Sequence, residues 1–145
     1  MSCCNIWEKF DEPNLLIKEY KHWKLLLKGK NYTLGNCYAI TKQHHEWMSE
    51  VSAEEMAEFV EVSKDLERAL KASFNFDNIN YLVLMRYDKH THFHIFPRYE
   101  KPRQFAGREW RDIAYPGLMG IKFESQDIPT PDVIKQVIQE IQKNI

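Results

Sequence analysis

The segment His90-Thr91-His92-Phe93-His94-Ile95-Phe96-Pro97-Arg98 constrains this chain more than any other. On a β-strand, successive side chains point to opposite faces. Read as a strand over residues 90–96, the segment turns Thr91, Phe93 and Ile95 one way and His90, His92 and His94 the other. The apolar set must be buried against a packed layer. The imidazoles are then presented together on the opposite face.

The surroundings indicate the layer. Residues 24–27 and 37–41 read as strands, the second following the turn Leu34-Gly35-Asn36. Residues 80–85 form a near-continuous apolar run that suits a strand covered on both faces. A short turn around residues 87–89 separates it from the histidine strand, so the two should run antiparallel. Ser52-Ala53-Glu54-Glu55 is a capping-box pattern that opens a helix. Met56, Phe59, Val60, Leu66 and Leu70 follow at helical spacing. Thr130-Pro131 caps and starts a C-terminal helix, with Ile134, Val137, Ile138, Ile141 and Ile145 along one stripe. Residues 99–129 show no period, contain Gly107, Pro116, Gly117 and Gly120, and read as a long loop. The order predicts an α+β fold: an antiparallel sheet with a central helix and a C-terminal helix packed on it. With 145 residues and neither repeat nor linker, a single domain over residues 1–145 is expected.

Composition narrows the function classes. A chain that is 43% hydrophobic and 28% charged, with net charge −1, reads as a soluble globule. It argues against a protein held to nucleic acid mainly by a strongly basic surface. Cys3, Cys4 and Cys37 are odd in number and form a poor disulfide framework, which fits a reducing cytosol. Residues 1–14 lack a signal-peptide pattern, and the longest aliphatic run is far too short to span a bilayer. The expectation is a cytoplasmic protein with no membrane partner.

Three readings of the imidazole row are open. Alternate residues on a strand lie roughly 6.6 Å apart and zinc–nitrogen bonds are about 2.0–2.1 Å, so one ion reaches two neighbours but hardly three. No C-x-x-C motif offers the remaining ligands, and neither metal nor cofactor is expected. Three histidines without chemical work would be expensive to desolvate together. Phosphate chemistry suits the row better. A largely neutral imidazole is a nucleophile, and its neighbours can donate to phosphoryl oxygens or protonate a leaving group.

The segment resembles the signature of the histidine-triad (HIT) family, His-x-His-x-His followed by two apolar residues. Leu34-Gly35-Asn36-Cys37-Tyr38-Ala39-Ile40-Thr41-Lys42-Gln43-His44 resembles that family's glycine turn and following strand, and residues 52–74 resemble its central helix. Arg98-Tyr99, Phe105-Ala106-Gly107 and the C-terminal helix resemble a bacterial-type branch of diadenosine-polyphosphate hydrolases. The likeness covers residues 15–111 best, with residues 112–145 as a C-terminal loop and helix. It implies a homodimer, a nucleotide substrate, and nucleotidyl transfer to the middle histidine followed by hydrolysis. His92 would be the nucleophile. His90 would orient it, and His94 would contact the phosphate or departing group. Asn36 and Arg98 are carried over as candidate phosphate or nucleotide contacts.

The chain also departs from the pattern. The glycine-rich loop that many members carry before the triad is reduced to Arg86-Tyr87-Asp88-Lys89. Arg86 or Lys89 can supply the missing phosphate contact by charge, or both can be solvated turn residues. Lys28 falls near the position where many members hold the ribose with an acidic residue. His44 and His45 stand where some relatives place a zinc ligand, but Cys3-Cys4 has the wrong spacing to complete that site, so His44 reads as an exposed or helix-flanking residue. Residues 101–111 interleave Lys101, Arg103, Arg108 and Arg111 with Phe105 and Trp110, a pattern that can grip single-stranded nucleic acid but more often forms a solvated loop. The expectation is a hydrolase of a phosphoric anhydride or phosphoramidate. The alternatives are a nucleotide-binding regulatory protein with little turnover and a hydrolase of adenylylated nucleic-acid ends.

Overall fold

The computed structural model describes residues 4–30, 33–117 and 128–145. Two short helices, α1 (Ile6–Lys9) and α2 (Glu12–Leu15), precede the strands β1 (Leu16–Glu19), β2 (Trp23–Leu27) and β3 (Cys37–Thr41). Helix α3 (Ala53–Phe74) follows, then β4 (Asn78–Leu82) and β5 (His92–Arg98), a small hairpin of β6 (Arg103–Phe105) and β7 (Arg108–Trp110), and helix α4 (Pro131–Asn144). The first five strands form an antiparallel sheet in the order β1-β2-β3-β5-β4. The predicted α+β class, sheet, central helix and C-terminal helix are all present.

Helix α3 starts where the capping box placed it. The Ser52 hydroxyl accepts from the Glu55 amide at 3.1 Å, and the Glu55 carboxylate accepts from the Ser52 amide at 2.7 Å. The helix buries Phe59, Val62, Leu66, Ala69, Leu70 and Phe74 against Trp23, Leu25, Ala39, Phe93 and Ile95 of the sheet. Each fully buried aliphatic side chain contributes roughly 1.5–3 kcal/mol. Val60 lies outside this stripe and is 51% exposed, because Phe59 and Val62 already fill the side facing the sheet. Thr130 caps α4 by accepting from the Val133 amide, and Ile134, Val137, Ile138 and Ile141 complete the core on the same side.

Gly35 sets the entry to β3. Its φ is +84°, and a Cβ there would lie 2.8 Å from a Leu70 methyl, so both backbone and packing require glycine.

Several elements differ from expectation. Strand β1 and helices α1 and α2 are four residues each, too short to show a period. Strand β4 begins at Asn78, paired with Arg98, and ends at Leu82. Leu84 is exposed and Met85 takes a positive φ of 44°, so the turn before the triad is longer than four residues. Strand β5 begins at His92, leaving His90 outside the ladder. The segment read as loop contains the β6–β7 hairpin, turned by Ala106 and Gly107 at positive φ, the conformation that short hairpins favour. Gly120 and the rest of residues 118–127 lie outside the described residues. Among the described residues no helix is long and apolar enough to cross a membrane.

Candidate active site

The sheet has two faces with different fates. One is covered by α3 and α4. On the other, Leu26, Tyr38 and Ile40 form a second small core with Ile6, against which Cys4, Trp7 and Phe10 pack. Tyr38 pairs with His94 and Ile40 with His92 across β3 and β5, so the histidines stand on this second face.

His92 is held by its own main chain. Its Nδ1–H donates to the His90 carbonyl at 2.6 Å. A carbonyl can only accept, so Nδ1 carries the proton and the neutral ring keeps its lone pair on Nε2. Burial lowers the His92 pKa below its ordinary value, against the opposing pull of that carbonyl. The His94 ring lies 5.0 Å from that of His92 and 5.1 Å from that of Tyr38. Burial first, then Lys28 and His92, push His94 down to about 3. Both rings are therefore neutral near pH 7.

His90 plays a different geometric part. Thr91 is clamped to the end of β3 and the segment that follows it: its amide donates to the His45 carbonyl at 2.9 Å, and its carbonyl accepts from the Thr41 amide at 3.2 Å. This turns His90 so that Nε2–H donates to the Thr41 carbonyl at 2.6 Å. Nδ1 then faces Cys4 Sγ at 3.1 Å and His44 Nδ1 at 3.3 Å. The evenly spaced row of three is thus a pair on the strand plus a third ring turned aside.

The spacing argument against Cys4 fails in three dimensions. Helix α1 folds the N-terminal segment over the sheet, so that ligand atoms of Cys4, His44 and His90 lie within 4.8 Å of one another. One sulfur and two imidazole nitrogens form a donor set suited to zinc. The Thr41 carbonyl supports it from behind by leaving the His90 Nδ1 lone pair toward the cluster. His44 is consequently part of a cluster, whereas His45 turns inward and pairs with Glu55 at 2.9 Å.

The remaining candidates divide. Arg86 and Lys89 are exposed on the turn before the triad, with the Arg86 guanidinium 5.3 Å from the Tyr87 ring centroid. Between them Asp88 pairs with Lys9 at 2.6 Å, tying this turn to α1. Arg98 is tied to other elements. Its guanidinium donates to both Asp112 oxygens, to Asn80 Oδ1 and to the Gly117 carbonyl, with both partners of the ion pair buried. Asn36 is likewise interior, donating from Nδ2 to the Ile95 carbonyl at 2.9 Å. Both serve as struts between elements. Within residues 101–111, Arg103 bonds the carbonyls of Phe74, Asn75 and Lys101, Arg111 pairs with Glu109, and Arg108 stacks on Trp110.

Sequence reasoning missed the roof over the site. Phe10 stacks on Tyr38 at 4.4 Å and meets His92 edge-on at 5.7 Å, while Trp7 meets His90 at 5.8 Å. Under this cover His92 is only 3% exposed. Nothing in the spacing of residues 4–10 announces it, because the contacts span more than 25 positions.

Comparison with known proteins fits this geometry. The HIT domain sequence profile matches residues 10–101. The chain belongs to the HIT domain family. An uncharacterised HIT-like protein of Methanocaldococcus jannaschii is 32% identical over 92 residues, covering 61% of this chain and 71% of that one. A histidine-triad protein of Sinorhizobium meliloti shares the fold with a TM-score of 0.76 at 14% identity, covering 95% of this HIT chain and 94% of its own. A zinc-bound histidine-triad family protein of Mycobacterium smegmatis does so with a TM-score of 0.65 at 16% identity, with 97% and 94% covered. A HIT-like protein of Bartonella henselae, described as involved in cell-cycle regulation, has a TM-score of 0.70 at 14% identity, with 100% and 98% covered.

Proposed function

We propose that this HIT protein hydrolyses a nucleotide phosphoric anhydride or phosphoramidate through a nucleotidyl intermediate on His92. The observation that carries the reading is the 2.6 Å bond from His92 Nδ1–H to the His90 carbonyl, which orients the ring and leaves the Nε2 lone pair for attack. In the first step Nε2 bonds to phosphorus, and the bond from phosphorus to the leaving oxygen or nitrogen breaks with its electron pair. The leaving group takes up a proton. In the second step the oxygen of water bonds to phosphorus and the phosphorus–Nε2 bond breaks, releasing the nucleoside monophosphate and restoring the neutral ring. The proton that the water loses to solvent balances the one that the leaving group took from solvent. His94, neutral and adjacent, offers one N–H to a phosphoryl oxygen, where preorganised donors act most strongly. Arg86 and Lys89 supply positive charge from the preceding turn. A zinc ion on Cys4, His44 and His90 would clasp the N-terminal segment to the first histidine of the triad.

The test is turnover of a panel comprising a dinucleoside polyphosphate, a nucleoside phosphoramidate and an adenylylated oligonucleotide. His92→Asn should lose several orders of magnitude in rate while keeping nucleotide binding. A phosphorothioate substrate should react with retention at phosphorus, because two in-line displacements invert twice. Full activity in His92→Asn, or inversion, would falsify the covalent route. One observation favours a second reading, a nucleotide-binding regulator with little turnover: the cover of Trp7 and Phe10 over the histidines. Binding without turnover of any panel member by the wild type would support it.

A further inference from the structure

The peptide unit between His90 and Thr91 serves two partners at once. Its carbonyl accepts the Nδ1–H of His92 at 2.6 Å, and its N–H donates to the His45 carbonyl at 2.9 Å. This peptide bond is trans, and in a trans peptide the two groups point in opposite directions. Fixing the N–H therefore aims the carbonyl at the His92 ring. The Thr91 hydroxyl donates to the same His45 carbonyl at 3.0 Å. The Thr91 carbonyl accepts from the Thr41 amide and hydroxyl, each at 3.2 Å. Thr91 is fully buried, so bulk water does not compete for these bonds.

Every residue has a carbonyl, so what the His45 side chain supplies is the place where this one stands. His45 lies in the irregular segment between β3 and α3, where no strand ladder fixes the main chain. Its ring is buried, and Nε2–H donates to the Glu55 carboxylate, at 2.9 Å to one oxygen and 3.1 Å to the other. Glu55 is buried too, and it is anchored by accepting from the Ser52 amide at the start of α3. A buried carboxylate that loses a donor is costly, so the ring is held to the helix. The chain of contacts runs unbroken from the first turn of α3 through Glu55, His45 and the 90–91 peptide to His92. We infer that His45 is a positioning residue: anchored on Glu55, it fixes the peptide unit that keeps the His92 proton on Nδ1 and the Nε2 lone pair free. Its effect on rate rests on the His92 reading above; its effect on the tautomer does not.

Nitrogen–proton NMR of the isotopically labelled full chain at neutral pH distinguishes a protonated ring nitrogen from a bare one. The His92 signals are assigned by their loss in His92→Asn. The wild type should show Nδ1 protonated and Nε2 bare. His45→Phe, which removes the donor to Glu55, should move the His92 proton toward Nε2. Thr91→Val, which removes one bond to the His45 carbonyl and keeps the side-chain shape, should do so less. His45→Gln, whose terminal amide can still donate to Glu55, should restore the wild-type pattern. A thermal melt of each variant establishes that it is folded, and Thr91→Val decides the matter if His45→Phe is not. On a substrate that the wild type turns over, His45→Phe should lower kcat about tenfold to a hundredfold with KM nearly unchanged, the scale of a small misplacement of a reacting group. A His92 tautomer that stays as in the wild type in the folded variants, or that is lost equally in His45→Gln, overturns the inference. A shifted tautomer with unchanged kcat keeps the positioning role and overturns the His92 reading instead. A wild-type ring protonated on Nε2 overturns both.

Discussion

At the scale of single residues, the site depends on rings kept neutral by burial. His94 is the clearest case, with its pKa moved from 6.5 to about 3. Between those values the unfolded chain binds a proton that the folded chain excludes, so stability rises with pH across the window. Acidification from pH 7 toward 4.5 should therefore destabilise the protein. His94→Gln should flatten that dependence in urea unfolding at the two pH values, and a slope equal to the wild type's would count against the buried-neutral account. Cys4 offers a second residue-scale prediction. After dialysis against zinc, elemental analysis should find about one ion per wild-type chain and markedly less in Cys4→Ser. Equal content in the two proteins would remove Cys4 from the ligand set. The triad was legible because three histidines in five positions exceed what packing needs. Cys4 was not, since its partners lie 40 and 86 positions away.

At the scale of elements, α3 was the most legible part of the chain. Its capping box and the Phe59–Leu66–Leu70 spacing carry a local signal, and local signals survive without knowledge of the fold. Val60 misled because helical spacing alone does not say where the apolar arc ends. Strands β1, β6 and β7 are three or four residues long, and pairing across the sheet rather than pattern along the chain makes them strands. His90 fell outside β5 for a similar reason: the clamp on Thr91 comes from Thr41 and His45, not from its neighbours. Because Leu66 is fully buried between α3 and the sheet, Leu66→Ala should cost about 2–5 kcal/mol, measurable by chemical denaturation. A loss below ~1 kcal/mol would mean that the core collapses into the space left behind.

At the scale of the whole molecule, the two outer strands of the sheet end differently. At β1, the Gln142 side chain of α4 donates to the Ile17 carbonyl at 3.1 Å, so the helix covers that edge. At β4, among the described residues, no further strand pairs beyond Asn78–Leu82, and Leu84 and Tyr87 stand exposed just past it. An unpaired edge with apolar neighbours favours association. A homodimer is accordingly predicted, with light scattering at micromolar protein returning twice the 17.4 kDa chain mass. A single species at the chain mass would refute it.

The roof over the histidines also turns the protein into its own optical gauge. Trp23 and Trp110 are buried in the core and Trp47 is 67% exposed, so their surroundings do not depend on the histidine face. Trp7 is different, lying edge-on to His90 and beneath the Lys24 ammonium at 4.9 Å. Its emission reports on whether the N-terminal segment is seated. With Trp47 replaced by Phe, a ligand that reaches His92 by parting this cover would change the fluorescence as it binds. A ligand that enters beside the cover would leave the spectrum as it was. The path of entry can thus be read without attaching a label.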